Sequence, residues 1–380
     1  MAAQIGMPKL NIVFTGLGAS AMERGSKGQA ILFVKEENSG DAITILKSVE
    51  DIDAELEESL TKRNLKYVKD VLKGTPKELV LVRVLEGESE NEDLDPMFHP
   101  TNILEALKLA TTKAEMNCWI AIADGTKEEE EDLISFIKSK NKTDKKRYKG
   151  IVFQANSPDS MFIVNFTTDQ LKFKDEDEVK SGKVFIPRLL GKIAGFPLNM
   201  SLVSQSFGEL EMVSEPEDLD EAVDNGEFIL FNDEGKVSVG RGVNSLVTTG
   251  QGITKDMRFI LIVEVMDLIY TDIYRTWNDL YKGRYKNTLD YQMLFISAVN
   301  GYFETLANSS DSLLDRNFDN RAYINTKAQR IANYPIYGED EVDSWSEERI
   351  LKMTVGTNIY PNASIKIPNA MEDLDMEIFM

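Results

Sequence analysis

The chain has 380 residues and a formal net charge of −21, from 43 basic and 64 acidic side chains. That length holds two or three domains with sizeable cores. The charge argues against nucleic acid or anionic membrane as a main partner. Cys118 is the only cysteine, so an intrachain disulfide is ruled out and folding in a reducing cytoplasm is expected. No apolar run approaches the roughly 18 residues of a membrane helix. The N-terminus also lacks the charged-then-apolar pattern of a secretory leader.

Residues 1–28 read as an arm. Leu10, Ile12 and Phe14 share one face of a short strand, and Gly16, Gly18, Gly25 and Gly28 make a pliable connector. The residues alone favour the alternative, a first strand of the local domain followed by a loose loop. From residue 29 to about 200, strands alternate with amphipathic helices, which implies an α/β layer architecture. The expected strands are Ala30–Val34, Leu79–Val84, Cys118–Ala123, Gly150–Phe153 and Met161–Phe166. The expected helices are Ile52–Leu72, Asn102–Met116, Glu128–Ser139 and Lys183–Ala194. Cys118 reads as a small core residue. The acidic stretch Glu86–Asp95 reads as a solvated loop, and the basic cluster Lys138–Lys149 as a charged helix end and turn.

A boundary is expected near Leu210–Glu217. Beyond it, Phe228–Phe231 and Lys236–Val239 flank a turn, and two long helical patterns follow. The first has Ile262, Met266, Ile269, Ile273, Trp277 and Leu280 on its apolar face, with Glu264, Asp267, Thr271, Arg275, Asn278 and Lys282 opposite. Gly283 is placed to stop it. Thr288 can cap the second, whose stripe is Leu289, Met293, Ile296, Val299, Phe303 and Leu306. A polar segment carrying Arg316, Arg321, Lys327 and Arg330 comes next, then a helix near 346–353. The chain closes on strand-like pieces at Ser364–Ile367 and Asp373–Met380. In the last piece Leu374, Met376 and Ile378 alternate with mostly acidic residues. It reads equally as half of a terminal hairpin and as a strand added to another subunit's sheet.

Enzyme chemistry finds little support. His99 is the only histidine, it sits in a loop, and no serine lies in a nucleophile elbow. One histidine and one cysteine cannot build a Cys/His zinc site. Gly16-Leu17-Gly18 lacks the third glycine of a dinucleotide fingerprint, and no phosphate-binding loop is present.

Four pieces carry a resemblance. Glu23-Arg24-Gly25-Ser26-Lys27-Gly28, Leu219-Asp220-Glu221-Ala222-Val223-Asp224-Asn225-Gly226, Arg241-Gly242-Val243-Asn244-Ser245-Leu246 and Asn369-Ala370-Met371-Glu372-Asp373-Leu374 resemble, in their order and spacing, contractile-tail sheath proteins. Those proteins form the outer sleeve of contractile bacteriophage tails and R-type bacteriocins. The resemblance implies an arm and linker at 1–28, a non-catalytic subtilisin-like α/β domain at 29–215, an α+β assembly domain with a helical hairpin at 216–368, and a second arm at 369–380. It implies that Leu10, Ile12, Phe14, Leu374, Met376 and Ile378 complete small sheets of neighbouring subunits. It further implies a helical homopolymer around an inner tail tube protein, with baseplate and tail terminator proteins as partners. No cofactor and no membrane insertion are implied. The subunit would be made in the bacterial cytoplasm and be extracellular in the released particle. Arg316, Arg321, Lys327 and Arg330 are candidates for touching the tube. A type VI secretion-like sheath component and an α/β hydrolase-like enzyme are the competing readings.

Overall fold

The computed structural model describes residues 28–37, 40–85, 99–144 and 146–380. Leu10, Ile12, Phe14, Gly16, Gly18, Gly25 and the acidic stretch Glu86–Asp95 lie outside the described residues. The elements run β1 Gln29–Glu36, β2 Ile43–Leu46, α1 Ala54–Ser59, α2 Lys62–Leu72, β3 Glu78–Leu85, α3 Ile103–Thr111, β4 Asn117–Ile122, α4 Lys127–Thr143 and β5 Arg147–Phe153. They continue with β6 Ile163–Phe166, β7 Gln170–Phe173, β8 Val179–Ser181, α5 Ile186–Ala194, β9 Leu210–Val213, α6 Leu219–Asp224, β10 Glu227–Phe228, β11 Leu230–Asp233 and β12 Lys236–Val239. The last are α7 Ile260–Thr276, α8 Leu289–Asn308, β13 Arg321–Ile324, α9 Thr326–Tyr337, α10 Glu339–Asp343, α11 Glu347–Lys352 and β14 Pro361–Ser364.

The described residues divide into two compact units. One holds those of 26–271 together with 368–380, the other 272–367. The first is built on a seven-stranded sheet of order β10-β6-β5-β4-β1-β3-β2, parallel except at β2. Its strands are apolar at nearly every position because both faces are covered. Ala30, Leu32, Leu79, Leu81, Trp119 and Ala121 meet Val68 and Val71 of α2 and Leu189, Leu190 and Ile193 of α5 on one side. Ile31, Phe33, Val80, Val82, Cys118 and Ile120 meet Ala106 and Leu107 of α3 and Leu133 and Ile137 of α4 on the other. Alternation along each strand therefore sends neighbours to opposite cores. Cys118 is buried as expected, and burial pushes its thiol up to about 12.

Sequence placed a boundary near residue 215, whereas the compact units part at 271/272. Residues 216–271 stay with the α/β unit because β10 extends its sheet, with Phe228 beside Phe166. The single helix expected over Ile52–Leu72 is two. Thr61 breaks it: its hydroxyl caps α2 at Asn64 N–H (3.3 Å), while its own N–H and O–H donate to buried Glu36 (2.8 and 3.1 Å).

Glu130 of α4 is buried behind β5 and accepts from Phe153 N–H at 3.2 Å. Burial raises its carboxyl to about 7, against that hydrogen bond. An acid raised on folding favours the folded state fully below its unfolded value near 4.5, and that contribution is lost as pH climbs through 7. Glu130→Gln is expected to flatten this slope and to stabilise the protein at pH 8 by on the order of 2 kcal/mol. Urea denaturation at pH 5 and pH 8 checks it. An unchanged slope would contradict the assignment.

Candidate assembly site

Residues 365–380 join no ladder among the described residues. Expected strand positions Leu374, Met376 and Ile378 are 84%, 65% and 76% exposed. The tail is nevertheless tied at its root. Ser201 Oγ donates to Glu372 Oε1 at 2.6 Å, and Arg241 Nε lies 3.3 Å from Glu372 Oε2. Arg241 also pairs with Asp373. The Glu372 side chain is only 4% exposed, although the residues on either side of it are open to solvent.

The strap that carries Arg241 is stitched down on both sides. Gly240 N–H donates to Ile229 C=O (3.0 Å), and Gly242 C=O accepts from Ile260 N–H (2.9 Å). Asn244 Nδ2 donates to Met257 C=O at 2.8 Å, and Ser245 N–H to Ile163 C=O at 2.7 Å. Gly226 turns with φ +78°, and a Cβ there would sit 2.9 Å from the Ser245 backbone. Only glycine fits both demands. Arg258 Nη2 donates to the carbonyls of Val223 and Asp224 that end α6. Three of the four pieces singled out in the sequence thus meet in one place. Of the fourth, Gly28 is described: its N–H and C=O bond to Ala194 and Lys77, where the chain enters β1.

The second unit holds a two-stranded antiparallel sheet, β13 against β14, with Ala322 opposite Ala363. Asn300 of α8 takes both backbone groups of Ala322, accepting from its N–H (2.6 Å) and donating to its C=O (3.2 Å). These groups therefore point away from β14. Directly opposed residues in an antiparallel pair share the same alternation, so the backbone groups of Ala363 point away from β13. One edge is closed by the Asn300 amide, and the β14 edge, whose residues are all exposed, is the open one.

Among the expected tube-facing residues, Arg330 is committed elsewhere. Its guanidinium donates to Val342 C=O (2.7 Å) and Trp345 C=O (3.2 Å), bracing α9 against α10 and the turn after it. Arg321 pairs with Asp319 at 3.1 Å, both exposed. Arg316 and Lys327 are exposed. The expected stripe on α8 holds at Ile296, Val299, Phe303 and Leu306, but Met293 is exposed, and Phe295 is buried instead. Phe295 takes the edges of both Trp277 and Tyr281.

The polar face expected for α7 corrects the sequence reading most. Glu264, Asp267 and Thr271 are largely or fully buried, not solvated. Lys149, expected in a turn, is a fully buried residue of β5. Its ammonium pairs with Glu264 and lies 3.2 Å from Asp267, over the Trp119 ring at 5.1 Å. Trp119 Nε1 donates to Glu264 at 2.9 Å. Burial pulls the Lys149 ammonium down, but the two carboxylates outweigh it and hold it above its ordinary value. For Asp267, burial outweighs the lysine and raises the carboxyl to about 6. The available signal was Arg147 and Lys149 alternating directly ahead of the apolar run Ile151-Val152-Phe153.

Residues 253–380 match the family described as Phage tail sheath C-terminal domain. Over 384 residues the chain is 26% identical to the tail sheath protein of Clostridium phage phiCD119, covering 99% of each. A sheath tail protein from Listeria innocua shares the fold with a TM-score of 0.66 at 14% identity, over 93% of this chain and 99% of that one. The helical sheath of the anti-feeding prophage in its contracted state gives 0.59 at 11% identity, over 98% and 99%. The matched domain and the similarity along the whole chain are to proteins of the contractile-sheath type, and those relatives are structural proteins, not enzymes. The chain is a relative of the contractile tail sheath proteins, and the resemblance read from its four sequence pieces is borne out.

Proposed function

We propose that this chain polymerises helically as the sheath of a contractile injection device, each copy donating its C-terminal tail to the open β14 edge of another. The observation that carries this is the tail itself: an alternating apolar segment, anchored at Glu372 and exposed beyond it. A free edge with outward N–H and C=O groups recruits such a segment by strand addition. The N-terminal arm would add in the same manner, with Leu10, Ile12 and Phe14 inward. The sleeve encloses an inner tube, meets a baseplate and a terminator at its ends, and shortens to drive the tube through a cell envelope. Subunit bodies turn while the arms stay paired. Arg316, Arg321 and Lys327 remain the candidates for the tube, since Arg330 is occupied.

Cysteine cross-linking tests the donation. The one native thiol is buried, so background is low. Chains carrying Met376→Cys are mixed with chains carrying Asn362→Cys, Ala363→Cys or Ser364→Cys, concentrated until they polymerise, and oxidised. A disulfide between the two kinds of chain is expected at one or two of these positions. Its absence from all three in formed polymer would overturn the β14 assignment.

A further inference from the structure

We propose that Arg241 is the positioning residue of tail donation: it fixes the point and direction at which residues 374–380 leave their own subunit. This rests on the donation reading above and adds to it a specific requirement. In an extended strand the alternating segment 374–380 spans about 23 Å at ~3.3 Å per residue. A segment of that span reaches a fixed edge on another copy in register only if its root is fixed too. A root freed at Glu372 would have its slack increased and its local concentration at the acceptor edge diluted.

The geometry suits that task. Ser201 Oγ accepts from Val203 N–H at 3.2 Å, which leaves its single hydroxyl proton for Glu372. Arg241 approaches the other carboxylate oxygen of Glu372 through Nε and uses Nη2 for Asp373. Two successive acidic side chains thus pair with one planar guanidinium, Asp373 through a hydrogen bond and Glu372 through an ionic contact, an arrangement that a point-charge ammonium reproduces only in part. Both flanking glycines let the strap lie close, because a side chain at either position would press its neighbour by a few tenths of an ångström. A Cβ at Gly240 would come 3.2 Å from Ile229 Cγ1, and one at Gly242 would come 3.2 Å from Leu202 Cβ and 3.5 Å from Ser201 Oγ. The strap is therefore held at the depth where Arg241 and Ser201 converge on one carboxylate.

The test measures three things on the full chain: the inter-chain disulfide described above, the mobility of a spin label at Asn369→Cys, and thermal melting. Arg241→Ala is expected to lower cross-link yield by roughly tenfold or more, to turn an immobile label mobile, and to leave melting unchanged. Glu372→Gln should act the same way from the tail side, where it cannot unfold the body. Arg241→Lys should fall between. The exchange Arg241→Glu with Glu372→Arg should restore much of both yield and immobility, which a merely structural arginine would not allow. Full cross-linking by Arg241→Ala overturns the proposal. If the unmodified pair never cross-links, the donation reading falls on its own. The label then decides the anchor: immobility that survives Arg241→Ala overturns it, and release supports it.

Discussion

A chain ended at Asp373 is expected to lose polymer formation entirely while melting at the same temperature as the full chain. The seven deleted residues join no ladder and are exposed, so their own subunit owes them little. Their worth lies between copies. Burying Leu374, Met376 and Ile378 contributes roughly 1.5–3 kcal/mol each, and new ladder bonds add about 0.5–1.5 kcal/mol each. Ordering the segment costs roughly 1–2 kcal/mol per residue. These terms nearly cancel, so one tail barely holds two subunits. A lattice that engages many tails at once, on a surface that already holds neighbours in place, gains from effective concentration. Free subunits at low micromolar concentration should therefore remain monomeric until a tube and baseplate template them. Electron microscopy of polymer, beside calorimetry of the subunit, reads both halves of the expectation. Met376→Asp should mimic the deletion, because a charge at a position that donation is expected to bury must be dehydrated. Polymerisation of the shortened chain at the normal yield would remove the basis of the assembly reading.

The layered unit was legible because its strands are buried on both faces and its helices on one. Those two patterns separate cleanly in Cys118–Ala123 and Glu128–Ser139. Strand β2 was not legible: four residues at the sheet's antiparallel end, with Ile45 exposed, give no period to read. The last internal strand lies at Pro361–Ser364, earlier than the Ser364–Ile367 that its apolar residues suggested. Pro361 can begin an edge strand because it has no N–H to donate, and hydropathy does not register that. At the assembly site the tail's alternation was plain, and so were the glycines around Arg241. The reach of Arg241 to Glu372 was not, since 131 positions separate them and no local pattern pairs them. Polar residues on an amphipathic helix are assigned to solvent by default. On α7 that default failed, because the sheet offers Lys149 and Arg147 to the same face.

Replacing Lys149 by methionine is expected to destabilise the protein by about 3–5 kcal/mol at neutral pH. The substitution fills similar volume but leaves Glu264 and Asp267, one turn apart on α7, facing a buried site with their counter-ion gone. Trp119 and Asn117 still donate to Glu264, while Arg147 alone stays near Asp267, at 3.8 Å. The pH dependence follows from sign. Asp267 is raised from 3.8 to about 6 even with the lysine present. Its contribution to stability is therefore whole below its unfolded value and is lost as pH rises through 6. Without Lys149 that carboxyl must rise further, so the variant should recover stability between pH 7 and pH 5 more steeply than the parent. Urea midpoints at the two values measure it. Replacing Lys149, Glu264 and Asp267 together with apolar residues should restore most of the loss, because a buried ion cluster contributes little beyond an apolar one of equal volume. Glu264 and Asp267 lie in the part of α7 that belongs to the α/β unit, so this clamp fixes the helix to β5 within that unit. A Lys149→Met protein with an unchanged midpoint at neutral pH would show that the clamp carries no net load.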